Sequence, residues 1–126
     1  MILVDTSVWV DHLRRTDEEL AALLDDGRVA THPFVIGEIA LGHLKPRQSI
    51  LQMLTDLPQT NVATEQEVLR LIDRHALSGT GISYVDAHLI AAAKLTDSVV
   101  IWTRDRSLAG IATKLNLAAP TRKTQV

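Results

Sequence analysis

The chain has 126 residues, of which 46% are hydrophobic, so it is long enough and apolar enough for one domain, residues 1–126, with a hydrophobic core. The absence of cysteine excludes disulfides and thiolate metal sites. No apolar run approaches the roughly 20 residues of a membrane span, and the opening apolar run ends at Asp5, too early for a signal peptide. We therefore expect a soluble, cytoplasmic protein.

The net charge of −2 gives no overall indication of nucleic-acid binding, but the charge is unevenly distributed. From Arg104 onward, five basic residues and one acid give a balance of +4, which leaves −6 for the preceding part of the chain. Such a basic end fits phosphate attraction or simply a solvated terminus. Only four residues are aromatic, so platforms for stacking nucleic-acid bases are scarce.

Short apolar runs alternate with helical patterns along the chain. Strands are predicted at residues 1–4 and 98–103, with shorter candidates at 28–31, 60–63 and 117–119. Helices are predicted at residues 7–15, 16–24, 33–41, 46–54, 64–77, 83–94 and 105–115, with capping boxes beginning at Thr16, Thr64 and Ser83. This alternation predicts an α/β fold in which helices cover both faces of a mostly parallel central sheet.

Four acidic residues are candidates for chemistry: Asp5, Glu38, Asp86 and Asp105. In open α/β sheets, ligands bind beyond the carboxyl ends of the strands, and Asp5 and Asp105 come just after the two best strands. Carboxylate oxygens suit hard divalent cations such as Mg²⁺. Such cations generate nucleophiles and stabilise charge during phosphodiester hydrolysis. The four acids together therefore favour a metal-dependent hydrolase.

Asp5 and Glu38 also have structural interpretations. Asp5 is placed to cap the following helix, although Thr6 or Ser7 could fill that role and leave the Asp5 carboxylate free. The helical neighbours of Glu38 are apolar, and an unpaired carboxylate on an apolar face is unfavourable without a cation or hydrogen bonds. A buried salt bridge, or a position at the helix edge, would also account for Glu38.

Asp86 and Asp105 have structural interpretations of their own. Asp86 stands three residues after Ser83, in the pattern of a capping box. Asp105 is placed to cap the last helix or to pair with Arg104 or Arg106. Spacing alone leaves both residues open to either interpretation.

The five histidines are scattered along the chain, and we interpret all of them as surface or core-edge residues. Asp86 and His88 are two positions apart on a helix and point to different sides of it. The sequence therefore offers no obvious pair of imidazoles for a metal-free acid–base mechanism.

The chain resembles the PIN-domain family, in particular the VapC-type toxins of type II toxin–antitoxin systems. The resemblance is carried by ILVDTSVW at residues 2–9, Glu38 about 30 residues later, DAHLIAAA at residues 86–93 and VIWTRD at residues 100–105. These segments occur in the family's order and at similar spacing over nearly the whole chain.

The resemblance implies a Rossmann-like α/β/α sandwich and a metal-dependent endoribonuclease that acts on single-stranded or structured RNA. It implies an acidic pocket that binds Mg²⁺ or Mn²⁺ through the catalytic carboxylates Asp5, Glu38, Asp86 and Asp105. It places three hydroxyls near metal or phosphate, those of Thr6, Ser7 and Thr103. It further implies a homodimer within a larger assembly with a cognate VapB-like antitoxin, for which exposed apolar surface on the helices around residues 35–57 would be suitable.

Three alternatives remain. A phospho-acceptor receiver domain has similar length and architecture, but it needs an Asp after a central strand and a Lys after a late one, and neither pattern is present. A catalytically silent PIN fold could act as an RNA- or protein-binding module. DNA could replace RNA as the substrate, because phosphate contacts do not distinguish the two.

Overall fold

The computed structural model describes residues 1–120, which form a small parallel sheet flanked by helices. The strands are β1 (Ile2–Val4), β2 (Val29–Ala30) and β3 (Val100–Trp102), in the order β2-β1-β3. Isolated parallel bridges extend the two sides of the sheet, from Thr31 to Gln59 and from Ile101 to Ala118. The predicted α/β class with a parallel central sheet is confirmed.

Helices make up most of the described chain. They are α1 (Thr6–Arg14), α2 (Glu18–Asp25), α3 (Pro33–Ala40), α4 (Arg47–Asp56), α5 (Glu65–Arg74), α6 (Tyr84–Leu95) and α7 (Arg106–Lys114). Across residues 1–120, none of them combines the length and the apolar character that crossing a membrane requires.

The core includes β1, β3 and helix α6, which packs against β3. Residues 87–93 of α6 are all buried, which its alanine-rich sequence permits because small side chains let the helix pack closely on the sheet. Trp9 and Trp102 are the largest fully buried side chains, and the remaining core is predominantly aliphatic. This rigid centre holds the carboxyl ends of β1 and β3 side by side.

The predicted strand at residues 60–63 is wrong. The single bridge at Gln59 marks where the chain meets the sheet, and the Thr60 amide donates to the Thr31 carbonyl at 3.0 Å. The chain then turns away, because the Asn61 amide donates to Thr96 Oγ1 and its side chain donates to the Leu95 carbonyl, both at 2.9 Å. These bonds attach the segment to the end of α6 instead of to the sheet.

The predicted capping box at Thr16 is also wrong, since α2 begins one residue later. Asp17 caps α2 by accepting a 3.0 Å hydrogen bond from the Leu20 amide. The Asp17 amide is itself bonded to His12 Nδ1 at 3.0 Å, a contact between the end of α1 and the start of α2 that local spacing does not reveal. Both halves of the other two predicted capping boxes, at Thr64 and Ser83, are present.

Candidate active site

Asp5 lies directly after β1, is only 6% exposed and forms the centre of a hydroxyl cluster. Its Oδ2 accepts hydrogen bonds from Ser7 Oγ at 2.8 Å and from Thr103 Oγ1 at 2.7 Å. Although Asp5 occupies the position before α1, its side chain makes no capping hydrogen bond. The carboxylate therefore bonds to one nearby hydroxyl and to one from the other end of the chain, and it does not cap the amides of α1.

Backbone amides orient the two hydroxyls that donate to Asp5. Ser7 Oγ accepts from the Arg104 amide at 3.0 Å, and Thr103 Oγ1 accepts from the Asp105 amide at 3.0 Å. A hydroxyl has one proton, so accepting from an amide leaves that proton for the carboxylate. The loop after β3 thus fixes the orientation of Asp5 at the end of β1.

Asp86 takes part in a capping box and in an acidic cluster at the same time. Its amide donates to Ser83 Oγ, and its Oδ2 accepts from the Ser83 amide, both at 3.1 Å. Burial raises the pKa of Asp86 above its ordinary value, the Ser83 hydrogen bond opposes this, and the negative charges of Asp5 and Asp105 raise the pKa further. The capping interpretation is correct, and it does not exclude the functional one.

Glu38 lies on the exposed side of α3, where its Oε1 accepts a 2.6 Å hydrogen bond from Thr6 Oγ1. Val35 and Ile39 are the residues that α3 buries. Glu38 is therefore not buried among its apolar neighbours, and the helix-edge interpretation describes its position. Glu38 is also the one predicted acid that is absent from the charges acting on Asp86.

Asp105 caps α7, with its Oδ1 accepting from the Leu108 amide at 3.0 Å. Its side chain is exposed and forms no ion pair with Arg104, contrary to one of the structural interpretations. The Arg104 guanidinium instead pairs with Asp11 and Asp17, which lie 93 and 87 residues away. No local pattern could have indicated those partners.

All four predicted acids share one arrangement: one carboxylate oxygen is hydrogen-bonded and the other accepts no hydrogen bond from residues 1–120. This donor set fits a hard cation, because each carboxylate is anchored through one oxygen and keeps its second oxygen available as a ligand. Within residues 1–120 no three His, Asp or Glu side chains converge into a ready-made metal site. Asp5 and Asp105 nevertheless lie near enough to Asp86 for their negative charges to raise its pKa.

Replacing Asp86 by Asn should stabilise the metal-free protein increasingly as pH rises. Because its pKa is raised, Asp86 keeps its proton to higher pH in the folded protein than in the unfolded chain. Ionisation of Asp86 therefore lowers folding stability above pH about 4. Asn preserves an acceptor for the Ser83 amide and has no charge. Thermal melts with EDTA at several pH values would measure the difference, with Asp97→Asn as an exposed control. If the melting temperature of wild type instead rose above that of Asp86→Asn as pH increased, Asp86 would not lie in a repulsive acidic cluster.

Two histidines lie deeper than the sequence indicated: His32 is 0% and His88 is 3% exposed. The surface or core-edge interpretation is wrong for both. His32 Nδ1 caps α3 by accepting from the Phe34 amide at 3.0 Å. Burial, followed by the nearby His88, lowers the pKa of His32 to about 4, so its imidazole is neutral at physiological pH. Tertiary packing explains this, since ring contacts join both histidines to Phe34.

Comparison with known proteins gives a consistent result. A family model described as PIN domain matches residues 2–114, a segment that contains all four predicted acids. Ribonuclease VapC32 of Mycobacterium tuberculosis (strain CDC 1551 / Oshkosh) is 48% identical over 108 residues, which cover 86% of this chain and 87% of that protein. The protein of the same name from strain ATCC 25618 / H37Rv matches to the same extent.

Proposed function

This chain belongs to the PIN-domain family, and on that premise we propose that it is a VapC-like toxin, a divalent-metal-dependent endoribonuclease. The observation that carries the proposal is the set of four carboxylates, each with one hydrogen-bonded oxygen and one available oxygen. Three of these carboxylates, Asp5, Asp86 and Asp105, interact electrostatically. The similarity to ribonuclease VapC32 supports RNA as the substrate. Family membership also removes the receiver-domain alternative.

Within this proposal, Asp5, Asp86 and Asp105 hold Mg²⁺ or Mn²⁺, and Glu38 completes the site from α3. A cation held there would supply the activation of water and the stabilisation of charge on the phosphate that phosphodiester hydrolysis needs. Ser7 and Thr103 keep Asp5 in one orientation, so its unbonded Oδ1 faces a fixed direction. Thr6 does the same for Glu38 through its bond to Oε1. Preorganisation of this kind avoids reorganising the site during the reaction.

Cleavage should require a divalent cation. A mixed pool of cellular RNA incubated with the protein and Mg²⁺ or Mn²⁺ should be cut, EDTA should stop the reaction, and excess Mg²⁺ should restore it. RNA cleavage that continues at the same rate in EDTA would refute the metal requirement. If the RNA stays intact with every cation but still binds, the protein is a silent PIN-fold module. A parallel incubation with single-stranded DNA tests the remaining alternative.

We further propose that the protein is a homodimer bound by a VapB-like antitoxin in the cytoplasm, and that residues 1–126 form one domain. Residues 121–126, including the predicted basic residues Arg122 and Lys123, lie outside the described part of the chain. The exposed apolar surface expected around residues 35–57 is supported at Leu41, which follows α3 and is 91% exposed. Light scattering with and without the co-expressed partner would test the assembly.

A further inference from the structure

Tyr84 differs from the other aromatic residues of this protein in its exposure. The sequence contains four aromatic residues, and all of them lie in the described part of the chain. Trp9 and Trp102 are fully buried and Phe34 is half-buried, whereas Tyr84 is 49% exposed. Tyr84 is therefore the one exposed ring among the Phe, Tyr and Trp side chains of this protein.

Contacts with neighbouring rings hold the orientation of the Tyr84 ring. Its ring meets His88 edge to face at 4.7 Å and 90°. His88 contacts Phe34 at 4.7 Å, and Phe34 contacts buried His32 at 5.0 Å. Edge-to-face contacts of this kind favour one relative orientation of the rings. Tyr84 is thus the exposed end of a row of four rings anchored in the core. Its side chain therefore loses little conformational freedom when a base binds.

This aromatic row joins the two helices that carry Asp86 and Glu38. Tyr84 begins α6, two residues before Asp86. Phe34 lies four residues before Glu38, so these two side chains share a face of α3. Residues two apart on a helix point to different sides, so the Tyr84 ring lies beside the acidic cluster and is not part of it. That position fits a base next to the cleaved phosphate, while the phosphate itself lies at the carboxylates.

We propose that Tyr84 is a substrate-positioning residue that stacks on one base of a single-stranded RNA segment next to the cleavage point. The inference rests on the proposed ribonuclease function. Stacking on an aromatic side chain strengthens binding of the strand and requires no particular base. Tyr84 would therefore position the strand, whereas the acids would perform the cleavage.

The test compares wild type with Tyr84→Leu, Tyr84→Phe and Leu95→Ala on one defined single-stranded RNA that the protein cleaves. Leu95 is a matched control, since it is 45% exposed at the other end of α6. We expect Tyr84→Leu to raise KM about 5- to 100-fold with kcat nearly unchanged, as loss of a uniform binding contact predicts. Tyr84→Phe should behave as wild type, and so should Leu95→Ala. An unchanged KM for Tyr84→Leu would overturn the proposal.

A scan of abasic nucleotides then distinguishes stacking from a general loss of packing. In wild type, removing the base at one position near the cut should raise KM, and in Tyr84→Leu the same removal should have no further effect. Equal losses at that position in both proteins would refute stacking. If wild type cuts no RNA, the proposed function fails, and fluorescence anisotropy of the labelled RNA still decides this inference. Weaker binding by Tyr84→Leu supports it, and equal binding, as expected if Tyr84 instead contacts a protein partner, refutes it.

Discussion

Replacing Asp5 by Asn should reduce RNA cleavage by on the order of 10³-fold while the protein remains folded. Ser7 and Thr103 donate hydrogen bonds toward Asp5, so the Asn side chain will turn its oxygen to them and its amide nitrogen to the acidic cluster. An amide nitrogen is a donor and cannot coordinate a cation. Initial rates over a range of Mg²⁺ and Mn²⁺ concentrations would measure the loss, and higher metal concentration should not restore activity.

Asp97→Asn is the appropriate control for this variant, because Asp97 is an exposed carboxylate on the turn between α6 and β3. It should cleave RNA as wild type does. Thermal melts in EDTA should show that Asp5→Asn is at least as stable as wild type, since a charge that acts on Asp86 has been removed. Residual cleavage near the wild-type rate would remove Asp5 from the catalytic residues.

Replacing Arg104 by Met should destabilise the fold by about 2 kcal/mol, since hydrogen bonds to charged groups contribute about 1.5–3 kcal/mol each and solvent weakens these. The guanidinium is about one-fifth exposed, and it pairs with Asp11 and Asp17 on either side of the turn between α1 and α2. It also lies over the Trp102 ring, 5.7 Å from the centroid. The melting temperature should fall by about 5–10 °C.

Arg106→Met provides the comparison, since Arg106 is exposed two residues later and forms no salt bridge with any residue in 1–120. Its melting temperature should stay within about 2 °C of wild type. Arg104→Lys should recover little of the lost stability, because one ammonium group cannot reproduce the planar guanidinium that bonds to two carboxylates. Equal melting temperatures for Arg104→Met and wild type would show that these ion pairs contribute nothing measurable.

The sequence predicted those features that depend on local patterns. The strands at β1 and β3, the helix cap at Ser83 and the order of the acids along the chain all follow from spacing and residue type. The predicted position of Asp5 beyond the first strand was also correct. The sequence also predicts that Asp5 does not cap α1, because Thr6 and Ser7 offer other caps, although in the structure those hydroxyls bond to Glu38 and Asp5 instead.

The features that the sequence could not supply depend on contacts between distant segments. Arg104 pairs with Asp11 in α1 and with Asp17 at the start of α2, which are 93 and 87 residues away. His88 is buried because Phe34 and Tyr84 pack around it. Glu38 has apolar neighbours at helical spacing, but only the tertiary packing of α3 decides which side of the helix faces solvent. Among the acids, the interaction of Asp86 with Asp5 and Asp105 likewise depends on three separate segments meeting.

The hydroxyl bond between Asp5 and Thr103 has a consequence for synthesis of the protein. The two residues are 98 positions apart, and β1 is paired on both sides only once β3 is present. A ribosome must therefore translate and release more than four-fifths of the chain before the carboxylate at the end of β1 acquires its orientation. Translation products that end before Thr103 therefore lack the hydroxyl that orients Asp5, so we expect them to be inactive.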